Sequence, residues 1–192
     1  SPFTLTRNEI EGPIFSQPNY LNFIKDGVGL NPLLRNYWMV IHPPVLFLGF
    51  ASTIIPFAYA YAGIQTKRFG DWITPALPWA LFSVCVLGVG IMMGGRWAYE
   101  SLSFGGYWAW DPVENASLVP WLILIAGLHT MVIFKATGHS LKASYLFAFL
   151  TFIFILYSTF LTRTGILGDA SVHSFTDAGQ AINVMILLFI AS

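Results

Sequence analysis

Apolar residues gather in four long runs, residues 40–64, 75–95, 118–134 and 141–162, separated by stretches richer in polar and small residues. Each run holds 17 to 25 residues, and a helix rising ~1.5 Å per residue needs about 20 to cross a hydrocarbon core ~30 Å thick. The runs therefore predict four transmembrane helices. A fifth run, 181–192, stops after 12 residues and predicts a span cut short. The expected fold is all-α: a polytopic integral membrane helical bundle of four full spans plus a truncated fifth. Residues 1–39 form an outer N-terminal segment ahead of a transmembrane domain over 40–192. Short connections fall at 65–74 and 135–140, longer ones at 95–117 and 163–180, and there is no internal repeat.

Composition agrees with this pattern. The chain is 56% hydrophobic and 9% charged, against roughly 25% charged in an ordinary soluble domain. Nine Lys and Arg balance nine Asp and Glu, so no basic surplus exists to attract nucleic acid. The single cysteine, Cys85, excludes an internal disulfide framework, a CxxC pair and a CxxCH haem-attachment site. The opening Ser1-Pro2-Phe3, without Met or a basic leader, predicts no signal peptide, and with the short last run it predicts a piece of a longer chain. Lys67, Arg68, Lys135 and Lys142 lie in or beside the two short loops, which the positive-inside rule places in the cytoplasm. His42, the 95–117 segment and His173 then share the outer face. His129, nine residues beyond Pro120, lies ~13 Å down its helix, deep in the membrane.

The outer segment carries the most distinctive chemistry. It contains Gly94-Gly95-Arg96-Trp97, then Gly105-Gly106-Tyr107-Trp108-Ala109-Trp110-Asp111-Pro112-Val113-Glu114-Asn115. An interfacial aromatic belt accounts for tryptophans and tyrosines at this depth. It does not account for paired glycines followed at once by large rings, which suit a platform for a planar apolar ligand. Asp111, Pro112 and Glu114 also read as an N-cap, a first helical residue and the end of a capping box. His42 precedes Pro43-Pro44, and a residue before proline is pushed out of the α region, so His42 is expected just ahead of the first helix. Imidazole is a common axial ligand of haem iron, and His42 with His173 on the face of the aromatic platform could clamp a porphyrin from both sides. His129 is an ionisable group inside a span, the kind of residue that holds a ligand or relays protons. Arg96 and Arg163, at outer helix ends, snorkel or hold propionates. His139 reads as solvated and Cys85 as a packing residue.

Trp97 through Asp111, continuing as Pro112-Val113-Glu114-Asn115-Ala116-Ser117 and Pro120-Trp121, resembles the WWD signature of the haem-handling proteins of cytochrome c maturation. Gly29-Leu30-Asn31-Pro32-Leu33-Leu34, His42-Pro43-Pro44, Arg163-Thr164-Gly165 and Val172-His173 are similar to the CcmF/NrfE branch of that superfamily. The resemblance runs from about Gly27 to Phe175. It implies a haem lyase subunit of the bacterial inner membrane, which takes haem from the chaperone CcmE and, with a CcmH-type thiol partner, attaches it to apocytochrome c. It further implies that His42 and His173 hold the iron of the incoming haem b and that His129 ligates a resident b haem. The second ligand of that haem is implied to lie further along full-length members. In this reading the WWD segment, about 95–121, faces the periplasm, and Gly105, Gly106, Trp97, Tyr107, Trp108, Trp110 and Asp111 form the haem-binding set. No catalytic nucleophile is expected, because the thiols come from the substrate and catalysis is chiefly positioning. Two other readings stay open: a haem transport or export module without ligation activity, and a polytopic transporter in which His129 relays protons.

Overall fold

The computed structural model describes residues 12–22, 35–101, 106–167 and 179–191. By contact the chain divides into residues 1–35 and residues 36–192. In the first unit, Pro13–Ser16 and Tyr20–Asn22 form single 3-10 turns, and the Phe15 and Tyr20 rings meet edge to face at 5.5 Å.

Among the described residues the second unit holds six helices: α1 (Tyr37–Ser52), α2 (Ile54–Gln65), α3 (Ile73–Ser101), α4 (Pro112–Thr137), α5 (Leu141–Arg163) and α6 (Gln180–Ala191). The described residues contain no strand. Four segments are long and apolar enough to cross a membrane, with α1 and α2 together making the first, Tyr37–Gln65. The expected count of spans stands, as does the short fifth helix. α3 packs against α1, α2 and α4, while α5 packs against α2, α4 and α6.

Three expectations about the first two spans need correction. His42 is not ahead of the first helix but within α1, because the helix starts at Tyr37 and runs through Pro43 and Pro44. Asn36 caps that start, its side chain accepting the Trp38 N–H at 2.8 Å. The prolines remove the N–H donors that would reach the Met39 and Val40 carbonyls, and close packing of α1 on α3 outweighs this cost. The first span is also not one straight helix: it breaks at Thr53, where the buried Thr53 hydroxyl donates to the Phe50 carbonyl at 2.7 Å. Pro56 lacks the N–H that would continue the ladder back to Ser52. Finally, the second span does not end at residue 95, because α3 continues to Ser101 and takes up Gly94, Gly95, Arg96 and Trp97. At 29 residues it is about 44 Å long, longer than the ~30 Å core.

Small residues let α1 and α3 approach backbone to backbone. A Cβ added at Gly49 would lie 2.6 Å from Leu87 Cα, and one at Gly90 would lie 2.9 Å from Leu46 Cα. Such seams are how helices associate in lipid, where burial of apolar surface offers little net drive. The Ser52 hydroxyl donates to the Ser83 hydroxyl at 2.7 Å in the same seam, and the Ser83 hydroxyl donates to the Trp79 carbonyl at 2.9 Å. Across α3, Trp121 of α4 lies over Gly88 and donates its Nε1–H to the Val84 carbonyl at 2.9 Å. At the other end of the bundle Ala60, Trp72, Ile73, Ala76, Ala80, Met131 and Ala148 form the best-buried cluster. Phe47, Phe82, Val89, Leu122 and Ile153 point outward, as residues facing lipid do.

Candidate functional site

The site forms where α1, the end of α3 and the start of α4 converge. Its cleft is lined by His42 and Leu46 of α1, Ile91, Gly94 and Trp97 of α3, Trp108, and Val113, Glu114 and Ser117 of α4. The His42 ring lies against Gly94, where an added Cβ would meet its Cε1 at 2.7 Å. Its Nδ1 is 2.8 Å from the Gly90 carbonyl oxygen. A carbonyl only accepts, so Nδ1 carries a proton, and in the neutral ring Nε2 holds the lone pair that a metal requires. Trp97 sits 6.1 Å from the imidazole, centroid to centroid, with planes tilted by 51°. The cleft encloses about 80 Å³, well below the ~300 Å³ or more of an enclosed ligand pocket. A porphyrin would rest against it as against one wall.

The segment leading into α4 is tied at both ends. Gly106 has φ +131°, a conformation that favours glycine. Tyr107 folds back onto α3: its ring covers Gly95, where a Cβ would come within 2.6 Å, and its hydroxyl donates to the Met92 carbonyl at 3.0 Å. At the other end the expected capping box is present. Asp111 accepts the Val113 N–H at 2.8 Å, and Glu114 Oε2 accepts the Asp111 N–H at 3.2 Å. Between these ties, Trp108 turns into the cleft while Trp110 is 71% exposed. Their rings stand at 90° with centroids 6.1 Å apart.

Of the residues singled out from the sequence, His42, Trp97 and Trp108 are thus brought together. Asp111 caps α4, and Tyr107 and Trp110 flank the cleft without lining it. Gly105 and His173 lie outside the described residues. His129 is elsewhere: it is 17 residues into α4 from Pro112, about 25 Å along the axis. It is exposed on the outer surface of these helices, and its Nδ1 meets the Ile125 carbonyl at 2.7 Å. That bond again leaves Nε2 as the lone-pair nitrogen, a donor suited to one axial position on a haem iron. Arg96 and Arg163 are both engaged by the chain itself. Arg96 Nε meets Glu100 Oε1 at 2.8 Å, and Arg163 lies over the Phe47 ring at 5.8 Å.

Sequence reasoning missed the Gly90 tether, although Gly90 and Gly94 stand one helical turn apart on one face. It also missed the tie between helix ends, in which Asn36 Nδ2 donates to Glu100 Oε2 at 3.1 Å. Glu114 was legible only as a cap, yet it lines the cleft.

A family model described as Cytochrome C assembly protein matches residues 14–167. The chain is 39% identical, over 86% of its length, to the cytochrome c-type biogenesis protein CcmF of Pseudomonas aeruginosa, of which it covers 25%. It is 37% identical over 88% of its length to CcmF of Escherichia coli, covering 26%. To the NrfE protein of Haemophilus influenzae it is 36% identical over 93% of its length, covering 27%. The chain therefore spans about a quarter of the length of the curated relatives it matches. A solved structure titled Cytochrome c Heme Lyase CcmF is similar with a TM-score of 0.65 and 35% identity, over 89% of this chain and 27% of that one.

Proposed function

Because this chain belongs to the cytochrome c assembly protein family, we propose that it is the haem-presenting core of a cytochrome c-type haem lyase in the bacterial inner membrane. The observation that carries this reading is the convergence of His42, Trp97 and Trp108 on one cleft at the end of the bundle. The WWD segment, about 95–121, and residues 1–39 face the periplasm. Haem b is the incoming substrate, delivered by a CcmE-type chaperone, and apocytochrome c, prepared by a CcmH-type thiol partner, is the acceptor.

Thioether formation adds a substrate S–H across a haem vinyl group: sulfur bonds to one vinyl carbon, the proton goes to the other, and no net oxidation occurs. No protein nucleophile is needed, so this chain's task is to hold and orient. His42 would offer Nε2 to the iron from a ring fixed by the Gly90 carbonyl, with His173 as a second ligand. Trp97 and Trp108 would support the porphyrin face, with Trp110, Gly105 and Gly106 completing the haem-binding set. Asp111 keeps the segment registered on α4. His129, its Nδ1 tied to the Ile125 carbonyl, would be one ligand of a resident b haem. Such a haem supplies one-electron reduction when bound.

In the full-length protein, His42→Ala and His173→Ala each lower mature cytochrome c, read by covalent haem staining, while the membrane protein stays at its normal level. Normal cytochrome yield in both variants sinks the proposal. An absorbance spectrum with and without reductant separates this reading from a haem-free transporter.

A further inference from the structure

We propose that Glu114 and Asn115 are positioning residues of the haem platform: together they hold Trp110 in a left-handed backbone conformation and so fix Trp108 and Trp110 at right angles. This rests on the reading of the segment as haem-presenting and goes beyond helix capping. Trp110 has φ +57°, a region that bulky residues rarely occupy. Its indole is 71% exposed, so burial of the ring does not offset the strain. The compensation comes from the backbone on both sides of it. Ala109 N–H and Asp111 N–H both donate to Glu114 Oε2, at 3.0 and 3.2 Å. The Trp110 carbonyl accepts from Asn115 Nδ2 at 3.0 Å.

A capping box requires only the Asp111 bond. Ala109 N–H and the Trp110 carbonyl lie outside the helix, and satisfying them adds nothing to the cap. What they do is grip the Trp108–Ala109 and Trp110–Asp111 peptide units, one on either side of the Ala109–Trp110 unit. Backbone held in a sparsely populated region persists when its surroundings over-determine it, and such strain gathers at functional sites. Here the result is one indole turned into the cleft beside His42 and a second turned outward.

The test uses full-length protein loaded with haem and reads the rate at which haem passes to apomyoglobin, together with membrane level, melting temperature and resident-haem absorbance. Glu114→Ala and Asn115→Ala release captured haem roughly fivefold to tenfold faster, the scale of one or two lost hydrogen bonds, with resident haem and melting temperature near wild type. Glu114→Gln restores most of the loss, because an amide oxygen accepts the same two N–H bonds. Asn115→Asp does not, because a carboxylate cannot donate to the Trp110 carbonyl. Unchanged release in Glu114→Ala and Asn115→Ala overturns the proposal, and so does a Glu114→Gln variant no better than Glu114→Ala, which would assign Glu114 its charge. Should Glu114→Ala fail to accumulate, Asn115→Ala and Asn115→Asp decide alone: faster release in both supports the proposal and wild-type release in either overturns it. Trp108→Ala and Trp110→Ala separate the two levels of argument. If both leave release unchanged, the haem-presenting reading itself has failed.

Discussion

The Gly90 carbonyl decides which nitrogen His42 presents, and the absence of a side chain at Gly94 decides where the ring lies. A methyl group at position 94 would sit 2.7 Å from Cε1, so Gly94→Ala swings the imidazole off its acceptor. Haem capture in the full-length protein then falls by roughly fivefold to tenfold, the value of one hydrogen bond and its orientation, while the membrane level holds. Wild-type capture would show that the tether is dispensable. Trp110 obeys a different logic, since its backbone is strained and its ring exposed. Trp110→Asn places a residue that tolerates the left-handed region there, gaining about 1 kcal/mol of relieved strain. Melting temperature is expected to stay level or rise while captured haem is lost, and a lower melting temperature would mean that the indole itself stabilises the fold. At this scale the sequence was partly legible. The Asp111–Glu114 box is a local signal and was read correctly, whereas the bond from Ala109 to Glu114 depends on how the segment folds back.

Among the elements, α1 and α3 approach backbone to backbone, with Gly49 against the Leu87 backbone and Gly90 against Leu46. Gly49→Ala must push two backbones apart, and overpacking of this kind costs about 1–3 kcal/mol. Gly127→Ala is the control: its Cβ would meet Phe147 Cβ at 3.1 Å, with the nearest backbone atom, Phe147 C, at an ordinary 3.9 Å, and a small shift of α5 accommodates it. Thermal unfolding of the two variants in detergent should separate them, and equal melting temperatures would show that the seam is looser than its geometry. This seam also explains where sequence reading failed. Pro43-Pro44 and Gly94-Gly95 are local helix-breaking signals, and both lie inside helices where α1 and α3 pack closely on each other. The four spans were readable because length and hydropathy are set by the bilayer, independently of any partner helix.

Over the whole molecule, the two ends differ in charge as well as chemistry. Lys67, Arg68, Lys135 and Lys142 mark the end opposite His42, which the positive-inside rule assigns to the cytoplasm. In a Cys85→Ser background, a membrane-impermeant thiol reagent should label Tyr99→Cys from the periplasm and His139→Cys only after the membrane is opened. The reverse pattern inverts the topology and removes the proposed site from its substrates. His129 faces outward from these helices, in a chain that spans about a quarter of the length of its relatives, so the proposed resident-haem site was legible as a single candidate ligand and no more. The cleft is different, because among the described residues its lining ends at Ser117 and comes from α1, α3, Trp108 and the first turns of α4. Translation proceeds at ~5–20 residues per second, so the cleft residues, from His42 to Ser117, emerge within about 4 to 15 seconds of one another. The proposed haem-receiving face is thus built from one contiguous stretch of polypeptide, and its walls can pack together without waiting for α5 or α6.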